Sequence, residues 1–334
     1  MRHSFVIALF AALFPTLGCK GERDAAGNVA RKVTIGIQVS PAMALVMVAQ
    51  DKGFFQQQGL QVELKEFTAG KFALQAFLAG AVDFAVAGEV PVALATLQGN
   101  PVRVVTQVVE RTHNEVRVVA LRDRDSTDPG AYFRARKRKL ATSFGGGPEF
   151  FTYTFLRHYN IRPDQVEIIS QKPEDMPAAL ATGSVDAVAI FEPFAYFAEH
   201  RSTRGVMSFP DAGVYSELYV LTAGPKQVDA KAREIAGMIR ALAAAGDFIE
   251  SHAAEAQAIV ERYTKLDSET VRAVWPSFVF RPALTPELLR VWAQEADWAQ
   301  ATGKTQPGTP TPDFRTVIES RFLSDVRPTA VTIR

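Results

Sequence analysis

The chain has 334 residues, 47% of them apolar and 22% charged, and its 37 Lys and Arg against 36 Asp and Glu leave a net charge of +1. That composition is ordinary for a globular chain long enough to build two lobes, and the near-neutral balance excludes the basic footprint of a nucleic-acid binder. No stretch is long and apolar enough to span a membrane.

In chain order, Met1-Arg2-His3 is a short basic start, and residues 5–14 form an apolar run of signal-peptide length. Thr16-Leu17-Gly18-Cys19 follows, and Cys19 is the single cysteine. A lone Cys directly after a signal core resembles a bacterial lipobox, although Thr16 stands where Leu is usual. Residues 1–19 are therefore expected to be a signal peptide with a lipobox, and Cys19 the acylated residue that anchors the protein to a lipid membrane. Polar residues 20–32 are expected to be a tether.

From residue 33 the chain repeats its own punctuation. An apolar run at 33–39 ends at Ser40, and Leu140-Ala141-Thr142 ends at Ser143, 103 residues on. Gly80-Ala81-Val82-Asp83, a short apolar run and Glu89 recur at the same offset as Gly183-Ser184-Val185-Asp186, an apolar run and Glu192. A Gly after a helical run is a left-handed helix stop, and a short apolar run behind it is a buried parallel strand. The pattern predicts two similar α/β lobes, with Ser40, Glu89, Ser143 and Glu192 at carboxyl ends of strands, where such sheets bind ligands.

Ala49 to Val62 carries the family signature. Its Gly53-Phe54-Phe55 and Gly59-Leu60-x-Val62 resemble the A-x-x-x-G-F-F-x-x-x-G-L-x-V opening of solute-binding proteins of nitrate/sulfonate/taurine-type and thiamine-precursor-type ABC importers. Residues 76–83 resemble the family's A-L-x-x-G-x-V-D run, Gly88-Glu89-Val90-Pro91 its G-D-x-P turn, and Phe191-Glu192-Pro193 its W-E-P, with Phe191 in place of Trp. The resemblance covers about residues 33–325. It implies a type II periplasmic-binding-protein fold, two doubly wound α/β lobes joined by a hinge. It also implies a periplasmic or cell-surface monomer that serves an ABC permease and its ATPase.

Strands at 103–109 and 116–121 are expected to close the first segment of lobe one (33–121). Lobe two spans 122–215, and 216–334 returns to lobe one. A helical apolar stripe of Ile235, Met238, Ile239, Leu242 and Ile249 reads as core, and a terminal helix is expected near 316–322. The residues expected around a ligand are Ser40, Met43, Thr68, Gly70, Gly88, Glu89, Ser143, Gly145, Gly146, Gly147, Phe150, Phe191, Glu192 and Tyr215. Gly145-Gly146-Gly147-Pro148 lacks any nucleotide-loop ending and reads as a turn that aims a helix start at 149–158 into the cleft. The basic run 134–139 reads as a solvated face, and Glu89 equally as a helix cap or a ligand contact. The five histidines pair with no second His or Cys at ligand spacing, so neither a metal nor a cofactor is expected.

Ligand charge stays open. Helix starts favour an anionic head, whereas Glu89, Glu149 and Glu192 favour a cation or an N–H-bearing ring. Lys71 is the one cation that can be placed near a strand end in the cleft. The expectation is a small organic solute, an organosulfonate or a nitrogen heterocycle, rather than nitrate. Two other readings are an enzyme like the pyrimidine-precursor synthases of this fold, whose His cluster and cysteine-rich motif are missing here, and a ligand-sensing partner of a membrane receptor. No catalytic residue is assigned.

Overall fold

The structure is a computed structural model and describes residues 30–123, 126 and 128–333. The signal region, Cys19 and most of the expected tether lie outside the described residues. Twelve strands run in the order β1 (Arg31–Gln38), β2 (Leu60–Phe67), β3 (Phe84–Gly88), β4 (Arg103–Val109), β5 (Arg111–Thr112), β6 (Val116–Leu121), β7 (Arg138–Thr142), β8 (Val166–Ser170), β9 (Ala187–Phe191), β10 (Val206–Phe209), β11 (Tyr219–Ala223) and β12 (Phe278–Val279). They build two five-stranded sheets, β2-β1-β3-β11-β4 and β10-β6-β9-β7-β8, and the small pair β12-β5.

The two large sheets share one plan. In the first, β2, β1 and β3 are parallel and β11 is antiparallel to β3 and β4. In the second, β8, β7 and β9 are parallel and β6 is antiparallel to β9 and β10. The parallel strands next to the centre are buried on both faces: Ala187–Phe191 exposes no residue, nor does Phe84–Gly88. That burial is why they read as continuous apolar runs rather than alternating ones.

The repeated Asp of the Gly-x-Val-Asp turns locks each sheet in the same way. Asp83 Oδ2 accepts the Thr34 backbone N–H at 2.9 Å, and Asp83 N–H donates back to the Thr34 carbonyl at 3.1 Å. In the second lobe Asp186 Oδ2 accepts the Lys139 N–H at 2.8 Å, and Asp186 N–H donates to the Lys139 carbonyl at 2.9 Å. Each carboxylate also meets a cation, Lys231 on Asp83 and Arg136 on Asp186. The recurring Asp thus registers a parallel strand against its neighbour at the end opposite the cleft.

Three expectations are corrected. β6 does not close the first lobe. It pairs β9 and β10 in the second sheet, so the chain crosses between β5 and β6, and again between β10 and β11. A buried apolar strand reads alike in either sheet, and only its cross-strand partners assign it. The expected helix near 316–322 is instead a 3₁₀ turn, Phe314–Val317, and a helix Arg321–Val326. Ile318 between them is drawn into a parallel bridge with Val104. In the basic run, Arg138 is buried. It donates to the Tyr132 carbonyl at 3.1 Å, lies 4.0 Å from the Tyr132 ring centroid and pairs with Asp123.

The stripe Ile235, Met238, Ile239, Leu242 and Ile249 is buried along the helix Ala232–Ser251, which packs on the helix Ala44–Asp51 behind the first sheet. At roughly 1.5–3 kcal/mol per buried side chain, this face holds the returning segment to lobe one.

Candidate functional site

The carboxyl ends of β1, β3, β7 and β9 face one another across a shut cleft. The space left between them measures about 20 Å³, room for about one water molecule. Lobe one contributes Gln38, Gly70, Lys71 and Gly88, and lobe two Ser143, Gly146, Gly147 and Phe191. Glu217, on the crossover before β11, completes the wall.

Six of the residues expected around a ligand therefore meet: Gly70, Gly88, Ser143, Gly146, Gly147 and Phe191. The others are close behind or elsewhere. Ser40 is buried beneath, where its Oγ accepts from Gln38 Nε2 at 2.7 Å. Gln38 Oε1 in turn accepts the Gly70 N–H at 2.9 Å, fixing the first turn of the helix Gly70–Leu78. Met43 is fully buried core and Thr68 is exposed. Gly145 is on the rim, where its N–H donates to Glu149 Oε2 at 2.7 Å. Phe150 is packed between Tyr215 and Trp298, each ring centroid 5.4 Å away.

Both expected carboxylates are taken up by their own chain. Glu89 accepts from the Tyr215 hydroxyl at 2.5 Å and from the Leu218 N–H at 2.7 Å. Its backbone carbonyl accepts the Trp292 indole N–H at 3.2 Å. Glu192, next to the cis Glu192–Pro193 bond, accepts from Arg117 Nη1 at 2.6 Å and from the Tyr196 N–H at 2.9 Å. Arg117 is also bidentate to Glu199, at 2.7 and 2.8 Å. Sequence reasoning placed no Arg here, because Arg117 sits among apolar residues of β6, a strand it assigned to the other lobe.

Reasoning from sequence placed Glu89 here but missed the three acids that cluster with it, Glu115, Glu217 and Glu295. Glu89, Glu115, Glu217 and Glu295 are all buried, and among the described residues none of the four forms an ion pair. Glu115 receives the Tyr219 hydroxyl at 3.1 Å. One oxygen of Glu115, one of Glu217 and both of Glu295 accept from no N–H or hydroxyl, and their hydrogen bonding is between carboxyls, Glu115 with Glu217 and Glu89 with Glu295. Burial pushes Glu89 up to about 7 and Glu115 up to about 8. Burial, reinforced by neighbouring carboxylates, drives Glu217 and Glu295 well above the usual carboxylate range. The cluster therefore holds shared protons near neutral pH and titrates as a unit.

Glu217 is the member that reaches the cleft. A Cβ on Gly88 would lie 2.7 Å from its Oε1, and one on Gly147 would lie 2.5 Å from its carboxyl carbon. Glycine at both positions is what lets the two lobes close on this side chain. Two cations then cross the gap. Lys71 Nζ donates to Ser143 Oγ at 3.1 Å and to the Phe144 carbonyl at 2.7 Å, and Lys304 Nζ meets Glu149 Oε1 at 2.6 Å. Burial lowers the Lys71 ammonium from its ordinary range. Outside the shut cavity, a chamber of about 310 Å³ lined by Phe72, Leu78, Leu94 and Phe144 shares Lys71 and Pro91 with it.

Among the described residues, no group of His, Cys, Asp and Glu is placed to hold a metal ion. The arrangement gathers polar groups of both lobes around one narrow cleft.

The taurine-binding periplasmic protein of Escherichia coli is 27% identical over 161 residues, 48% of each chain, so the match spans about half the length of this curated relative. The alkanesulfonate-binding protein SsuA of Xanthomonas axonopodis pv. citri, solved bound to MOPS, superposes with a TM-score of 0.73 at 18% identity, covering 86% of this chain and 98% of that one. The periplasmic nitrate-binding protein NrtA of Synechocystis PCC 6803 gives 0.72 at 13% identity over 90% and 89%. The fold is that of the periplasmic binding proteins, and the NMT1-like family model matches residues 26–263, more than half of the chain, so the chain belongs to the NMT1-like family.

Proposed function

We propose that the protein is an extracytoplasmic solute-binding lipoprotein, tethered through Cys19. It captures a small organic solute between its lobes and delivers it to an ABC permease. The observation that carries this reading is the position of the shut cavity. It lies where the carboxyl ends of the parallel strands of both sheets face each other, walled by residues of both lobes and bridged by Lys71. Ligand contacts made only in the closed form shift the lobes toward closure. The adjoining apolar chamber favours an organic body, organosulfonate-like or a nitrogen heterocycle, over a bare inorganic ion. The names of the sulfonate- and taurine-binding relatives point the same way.

A thermal-shift panel of sulfonates, nitrate, pyrimidines and aromatic acids tests it. Stabilisation by an organic member supports the reading, and stabilisation by nitrate alone overturns the choice of an organic solute. Membrane fractionation tests the anchor. Wild-type protein is expected with the membrane and the Cys19→Ser protein is not; wild-type protein free in the soluble fraction refutes lipidation.

A further inference from the structure

We propose that the solute presents a cationic N–H head group, an ammonium or amidinium, to Glu217 at the centre of the cleft, so that a purely anionic solute is rejected there. This rests on the solute-capture reading and names the charge of what is captured. The seat that would draw a sulfonate, the first turn of the helix Gly147–His158 where backbone N–H groups and the positive dipole end converge, is already filled. Glu217's own carboxylate lies against Gly147, within the reach of a single methyl group. One of its oxygens accepts from no N–H or hydroxyl although the residue is only 5% exposed, and the side chain it shares a proton with is another acid, Glu115. An unmatched acceptor walled into a cavity is a place for a donor.

The surroundings give the same sign. Glu89, Glu115 and Glu295 stand behind Glu217 with no cation among them, and Arg117 is spent on Glu192 and Glu199. An anion entering would add negative charge beside four buried carboxyls with no cation among them, whereas a cation would favour the ionised form of Glu217. Lys71, on the other side of the cavity, points its ammonium at Ser143 and the Phe144 carbonyl. It can meet an acceptor farther out on the solute, so a zwitterion with its ammonium inward also fits. Phe72 and Phe144, both exposed at the rim beside Lys71, flank the way out for an apolar tail.

Matched probes decide it. Benzamidine against benzoate, butylammonium against butanesulfonate, and taurine against ethanesulfonate would be titrated at neutral pH by thermal shift and calorimetry. The expected result is binding by a cation-bearing member and not by its acid counterpart. That binding should weaken at least roughly 30-fold in Glu217→Gln, as removal of a buried charged partner does. In Gly147→Ala, whose methyl group displaces the Glu217 carboxylate, it should weaken comparably, which guards against a misfolded single variant. The proposal is overturned if the acid member of a pair binds in preference to wild-type protein, if Glu217→Gln binds the cation-bearing member as tightly as wild type does, or if no cation-bearing probe binds. Sulfonate binding without cation binding would remove the head-group assignment and leave solute capture standing. Silence of both series, with no change in lobe separation, would remove both.

Discussion

Arg117 is the single cation inside the second lobe's carboxylate network, and replacing it is the sharpest test of how that network is held. In Arg117→Met the side chain keeps its approximate volume and loses its charge. Glu192, only 4% exposed in its side chain, is then left without a cation, while Glu199, at 19%, turns to solvent more easily. Breaking a buried pair from one side costs about 3–5 kcal/mol. For a lobe of about 100 residues that unfolds on its own, this lowers the melting temperature by roughly 12–40 °C. Burial already raises Glu192 with the guanidinium in place. Without Arg117 the folded state takes up a proton there more readily than the unfolded chain. Folded protein binding more protons gains stability as pH falls, so the deficit shrinks between pH 8 and pH 5. The double variant Arg117→Met/Glu192→Gln removes both charges and keeps an acceptor for the Tyr196 N–H, so it should recover most of the loss, a coupling of about 2 kcal/mol or more. Urea unfolding of the four proteins at both pH values measures this. A single variant within about 1 kcal/mol of wild type, or a double variant no better than the single, refutes the reasoning.

Other outcomes follow from the same geometry. Because burial raises Glu89 to about 7 and Glu115 to about 8, the folded state binds more protons than the unfolded chain between the ordinary carboxylate range and those values, so stability falls as pH rises from 5 to 8.5; a melting temperature that climbs over this interval contradicts the cluster's shared protons. Lys71→Ala/Lys304→Ala removes two part-exposed bridges between the lobes, which should change unfolding free energy by no more than about 1–2 kcal/mol in total while enlarging the radius of gyration of the unliganded protein; an unchanged scattering profile argues against their role in closure. Asp83→Asn and Asp186→Asn should each destabilise by about 1–3 kcal/mol through the same lost strand tie; a large effect of one and none of the other breaks the equivalence of the two lobes.

Much of the fold was legible because it is written twice. The 103-residue offset between the Gly-x-Val-Asp turns corresponds to the equivalence of β3 and β9, and Ser40 and Ser143 do end equivalent strands, β1 and β7. Strand edges at Arg103–Val109 and Val116–Leu121 were readable from apolar runs, but the sheet to which Val116–Leu121 belongs was not, since antiparallel pairing leaves no local mark. At the site, the glycines were legible as turn signals, and Gly88 and Gly147 stand where the lobes touch. Glu217 was not, because it lies on a crossover with no periodicity, and its importance comes from a lobe–lobe approach that sequence spacing does not encode. Glu295 was hidden for another reason: on the helix Pro286–Ala301 a Glu reads as solvent-facing, yet that helix packs on the helix Glu89–Leu97 and Glu295 is buried beside Glu89.

The central claim is that a small organic solute closes the two lobes over the cavity at Glu217. Distance measurement between spin labels at Gln98→Cys on lobe one and Lys172→Cys on lobe two, in a Cys19→Ser background, reads this directly, both positions being exposed. The account predicts that a binding solute narrows the distance distribution saturably toward its short limit, and that Glu217→Gln weakens the response. A distribution that stays the same with every sulfonate, amine and heterocycle tested would contradict it.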